Sequence, residues 1–138
     1  DVASGLLSQK FQSRRRVLFI FISLTFLFSV IYYLFAAVSV FVFYVIVFCL
    51  GFATGYWAVF MSSASELFGT NIRATVTTTA PNFVRGSVSL MTIAKISLSP
   101  RYGTVMTSVY IGIAVFVLAF LACYKLEETF SKDLNYSE

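Results

Sequence analysis

The residue in this chain best placed to do chemistry is Arg85. It lies near the middle of a stretch, Ala74 to Ser97, that is long enough to cross a bilayer. On a helix, Thr78, Asn82, Arg85, Ser89 and Thr92 follow one another at spacings of four, three, four and three, which puts them on one face. That face is polar from end to end, while Val76, Phe83, Val84, Val88, Leu90 and Ile93 hold the others. A cation at mid-membrane is costly, so such a residue marks a site by default. Arg85 is therefore read as the group that binds an anionic part of a solute, or that pairs with a carboxylate on another helix and releases it. Asn82 and Tyr56 are read as hydrogen-bonding groups facing the same pathway. Trp57 is either a ligand contact or an anchor in the interfacial aromatic belt. A second set of charges, Arg14, Arg15, Glu66 and Arg73, stands at the ends of apolar runs and is expected to pair into a latch.

The elements that must carry these residues are apolar helices. The chain is 59% hydrophobic and only 12% charged, and no charged residue occurs between Val17 and Ser65. A soluble domain carries about a quarter charged residues, so the fold class is an all-α membrane protein. Four transmembrane helices are expected: Val17 to Phe35, Val38 to Met61, Ala74 to Ser97, and Tyr102 to Tyr124. Residues 1–16 are read as a basic loop, 17–126 as the four-span domain and 127–138 as a solvated tail. The second span carries Gly51 and Gly55 as a G-x-x-x-G, with Ala58, Ser62 and Ser65 continuing the small-residue face. Pro81 is expected to kink the third span, and Ser99 to Gly103 to form a turn. Asp1 is preceded by no apolar run, so the basic segment is expected to begin mid-protein.

Several function classes drop out. There is no histidine, which removes His-based triads and His-ligated metals within this chain. The two cysteines, Cys49 and Cys123, sit inside apolar runs and read as small packing residues. No carboxylate pair or Ser–Lys arrangement falls at membrane depth, so the reading is not an enzyme and calls for no cofactor. The net charge of +4 comes from arginines and lysines flanking apolar runs and points to membrane topology, not to nucleic acid. With four spans, Lys10, Arg14, Arg15, Arg16, Arg73, Lys125 and Lys132 fall on one side and Arg101 on the other, with Lys95 near it. The positive-inside rule then puts both termini in the cytoplasm, in an integral protein of the cytoplasmic (inner) membrane.

Three patches carry a family resemblance. Gly5-Leu6-Leu7-Ser8-Gln9-Lys10-Phe11-Gln12-Ser13-Arg14-Arg15-Arg16 resembles the G-x-x-x-D-R-x-G-R-R loop of the major facilitator superfamily, in its copy between the eighth and ninth helices. Glu66-Leu67-Phe68-Gly69-Thr70-Asn71-Ile72-Arg73 resembles the E-x-[FY]-P-T-x-x-R pattern after the tenth helix, and Glu128-Thr129-Phe130 the P-E-T segment after the twelfth. Gln9 stands where the family has an acidic residue, and Gly69 and Glu127 stand where it has proline. The resemblance implies the end of the eighth to the twelfth helix of a secondary transporter. It moves a small polar or anionic solute by alternating access between two six-helix halves. The partners it implies are the missing N-terminal half of the same polypeptide, the lipid bilayer and the small-molecule substrate. Glu66, Arg73, Arg14 and Arg15 would then latch the cytoplasmic side and part as the halves rock. The alternative is a complete four-helix membrane subunit or a small dimeric exporter. The exporter needs a membrane-embedded glutamate in its first span, which Val17 to Phe35 lacks.

Overall fold

The computed structural model describes residues 1–130, and these are helical with no strand. The rest of the expected tail, 131–138 with Lys132, lies outside the described residues. The helices are α1 (Val2–Phe11), α2 (Arg14–Phe35), α3 (Val40–Ala53), α4 (Trp57–Glu66), α5 (Thr70–Tyr102) and α6 (Thr104–Lys125). Three segments among the described residues are long and apolar enough to cross a membrane: Arg14–Phe35, Val40–Glu66 (α3 and α4 taken together) and Thr104–Lys125. By length and composition the chain is an integral membrane protein. α5 is longer than any of the three, at 33 residues. Its run of threonines, serines, Asn82 and Arg85 makes it too polar to count among them.

Local chemistry sets most boundaries. Ser13, in extended conformation, accepts the Arg16 N–H at 3.2 Å and starts α2, and Ser39 accepts the Val42 N–H at 3.2 Å and starts α3. Gly103, at φ 79°, closes α5 and turns the chain into α6. The expected turn at Ser99 to Gly103 is narrower than its residues suggested, because α5 runs through Pro100 as well as Pro81.

Two segments differ from the sequence reading. Residues 1–16 are not an open loop: α1 is a ten-residue helix, ended by Gln12 at φ 48° and followed directly by α2. The second span is not one continuous helix but stops at Ala53 and resumes at Trp57. At the break the Thr54 hydroxyl donates to the carbonyls of Leu50 and Gly51, and the Tyr56 N–H turns to Thr54. Gly55 favours such a break, since glycine is poor in helix interiors. It also makes room for α1: a Cβ added there would lie 2.9 Å from the Asp1 backbone nitrogen.

α1 packs beside α2 and α4, and α2 beside α3, α4 and α6. The buried cluster of Val17, Leu18, Phe21, Val59 and Cys123 lies where α2, α4 and α6 meet. Aromatic edges extend the α2–α6 seam, with ring centroids 5.4 Å apart for Phe19 and Phe120 and 5.1 Å apart for Phe26 and Phe116. α5 packs against α4 and α6 and has no buried residue.

Candidate functional site

The arginine end of the bundle gathers chain from four places. Arg14 opens α2, and Glu66 closes α4. The Arg14 Nη2 donates to Glu66 Oε1 at 2.9 Å and its Nε to Oε2 at 3.3 Å, a two-point pair. Both side chains are largely shielded, 19% and 14% exposed, so water competes weakly for them. The remaining guanidinium nitrogen donates to the Ser8 hydroxyl at 2.8 Å, and the Phe130 ring covers the same guanidinium at 5.5 Å. The Thr129 hydroxyl donates to Glu66 Oε2 at 2.7 Å. Ser8 and Thr129 are both buried, at 0% and 1% exposure, so α1 and the segment after α6 close over the pair.

A second carboxylate completes this end. Glu128 accepts hydrogen bonds from the Ser13 hydroxyl and from the Arg14 N–H, the latter at 2.8 Å. Burial pushes its carboxyl upward. The hydroxyl of Ser13 and the N–H groups of Phe130, Arg14 and Arg15 outweigh that and hold it below the ordinary 4.5. Glu128 thus serves as an anion at the N-terminus of α2, where the first N–H groups have no partner within the helix.

The expected latch residues separate in space. Arg14 and Glu66 form the pair. Arg15 turns toward α6, with its guanidinium 5.4 Å from the Tyr124 ring centroid and its carbonyl 3.7 Å from Cys123 Sγ. Arg73 straps the α4–α5 connection, its Nε donating to the Ser65 carbonyl at 2.8 Å and its Nη2 to the Phe68 carbonyl at 3.2 Å. The tail is not wholly solvated as expected, since Glu128 and Thr129 belong to this cluster. Ser8 and Ser13 received no role from the sequence reading. Ser13 was findable: a serine one turn ahead of the apolar run that begins at Val17 is a helix-start signal.

The α5 stripe is built differently. Thr78, Asn82, Arg85, Ser89 and Thr92 are all exposed. The hydroxyls of Thr78 and Thr92 donate to carbonyls one turn back, and Asn82 Nδ2 donates to the Thr78 carbonyl at 3.2 Å. The Arg85 guanidinium has no hydrogen-bond or ionic partner among the described residues. Tyr56 and Trp57 are not brought to this stripe. Tyr56 lines a cavity of about 280 Å³ between α2, α4 and α6, together with the buried Ser63 hydroxyl, which has no hydrogen-bond partner among the described residues. Trp57 packs on Phe60 at 5.4 Å. Asn82 lines a shallow groove on α5 itself.

One carboxylate lies deeper than the sequence reading allowed. Asp1 Oδ1 accepts the Ala58 N–H at 3.3 Å, in the first turn of α4. α1 reaches there from Phe11, about 15 Å along the bundle from the arginine end. Thr25 donates to the Ala53 carbonyl at 3.1 Å on the other side of the same break. The interruption in the second span is thus lined by an acid and a hydroxyl.

No protein-family model, curated protein or solved structure matches this chain.

Proposed function

We propose that the chain is the C-terminal portion of a secondary active transporter that moves a small polar or anionic solute by alternating access, on the pattern of the major facilitator superfamily. In this reading α5 is a fourth span, its stripe facing water or the other half of the transporter, and Arg85 and Asn82 meet the solute. The arginine end faces the cytoplasm, and the Arg14–Glu66 pair holds that side closed until the halves rock. The observation that carries the reading is convergence. The three patches that resemble family loops are separated by tens of residues, yet Ser13 and Arg14, Glu66, and Glu128 and Thr129 meet through direct hydrogen bonds. A membrane subunit without transport has no need of that arrangement together with a mid-helix arginine that has no hydrogen-bond or ionic partner among the described residues. The break between α3 and α4 adds support, since interrupted helices commonly line transporter sites.

The test is uptake by proteoliposomes holding the protein, against a panel of small sugars and organic anions. One solute class is expected to enter, and Arg85→Ala is expected to abolish its entry while membrane insertion stays intact. A panel with no transported solute, or wild-type uptake by Arg85→Ala, overturns the reading.

A further inference from the structure

A cleft of about 760 Å³ opens at the arginine end, and neither Arg14 nor Glu66 lines it. Its rim is formed by the end of α1, the start of α2 and the end of α6, and Arg15, Arg16 and Tyr124 line it. One turn deeper its wall becomes apolar with Phe19 and Ile20, which are 46% and 40% exposed. Those two residues belong to a helix long and apolar enough to span the membrane, so the cleft crosses from the polar edge of the protein to its lipid-facing surface. We propose that this cleft is a binding site for an anionic phospholipid, with the headgroup phosphate on Arg15 and Arg16 and an acyl chain along Phe19 and Ile20.

The charges leave this role open. Glu128 also lines the cleft, but its carboxylate is occupied by Ser13 and by N–H groups of α2 and Phe130. Those contacts also take up the start of α2, so an incoming anion meets the two guanidinium groups and not bare helix N–H groups. Arg15 is held in place by its stacking over Tyr124. Arg16 is exposed, and its guanidinium has no hydrogen-bond or ionic partner among the described residues. A phosphate monoanion beside two such groups gains charge-assisted hydrogen bonds, and the apolar wall selects an ion that carries acyl chains. A soluble phosphate gains nothing from that wall. The proposal rests on the membrane-spanning character of α2 and not on transport.

The test is native mass spectrometry of the full chain released from neutral detergent, titrated with phosphatidylglycerol or with phosphatidylcholine. Retention of phosphatidylglycerol over phosphatidylcholine is expected. Arg16→Gln, which touches no packed contact, should weaken that retention about fivefold, and Arg15→Gln with Arg16→Gln by about 30-fold. Arg101→Gln, at the opposite end of the long helix, should leave it unchanged. Equal retention of the two lipids, or an equal loss in Arg101→Gln, overturns the site. Displacement of phosphatidylglycerol by millimolar inorganic phosphate would show a free-anion site instead. Unchanged helical circular dichroism in Arg16→Gln keeps a loss from being read as misfolding.

Discussion

The arginine end and the α5 stripe use the same kinds of residue to opposite effect. At the arginine end Arg14 has Glu66, Ser8 and the Phe130 ring around it, and every contact comes from a different part of the chain. On α5 the hydroxyls of Thr78 and Thr92 and the Asn82 amide turn back to their own helix, and the Arg85 guanidinium has no hydrogen-bond or ionic partner among the described residues. The first arrangement stabilises this fold. The second makes no hydrogen bond or ion pair to another element among the described residues, so it adds no such tie to this fold. A polar group near the membrane is thus informative according to whether its own fold satisfies it.

The contrast breaks most readily at Glu66. Glu66→Ala leaves Arg14 and Thr129 without their shared acceptor and is expected to cost about 3 kcal/mol. Arg85→Ala should change unfolding in mild detergent by less than about 0.5 kcal/mol. Denaturant titration of both variants measures the difference, and equal losses would mean that Arg85 has a structural partner. The two glycines of the G-x-x-x-G sharpen the comparison on a smaller scale. Gly55→Ala forces a Cβ against the Asp1 backbone and should cost about 2 kcal/mol. Gly51→Ala meets open space and should be neutral or slightly stabilising. If both cost the same, the close approach of α1 is not what Gly55 serves.

Glu128 gives a smaller effect with a definite sign. Its carboxyl is held below 4.5 in the fold, so its contribution is full above that value and is lost as the pH falls through the depressed one. The residue is exposed, so screening keeps the contribution under about 1 kcal/mol. Glu128→Gln should flatten the acid limb of a stability–pH profile and leave the neutral limb lower by that amount. An unchanged acid limb would mean that the contacts of Glu128 do not stabilise the fold. The smallest structural effect belongs to the stripe: Ser89→Cys should leave stability unaltered and react fully with a soluble maleimide if that face meets water. Complete protection would place the face against protein or lipid.

Much of the architecture is legible in residue order. The charge-free run from Val17 to Ser65, the serines that start α2 and α3 and the glycine that ends α5 mark where helices begin and stop, because those signals act within one turn. The polar stripe is legible for the same reason, since a period of four and three residues is a property of one helix. The break at Thr54 to Tyr56 was less so. Its sequence reads equally well as a continuous span with a packing motif, and the approach of α1 decides between the two.

Which arginine pairs with Glu66 was not legible at all. Arg14 and Arg15 are neighbours in sequence but point about 100° apart on a helix. The packing of α2 against α4 and α6 turns one to the carboxylate and the other to Tyr124. The same holds for Thr129 and Ser8, ordinary polar residues until two remote segments bury them against one ion pair. Sequence alone determined the apolar helices, the serine and glycine signals at the starts of α2 and α3 and the end of α5, and the polar stripe that carries Arg85, because each depends on composition and local periodicity. Only the tertiary structure decided the partners at the arginine end, because a hydrogen bond across 52 or 63 residues depends on how helices are rotated and stacked.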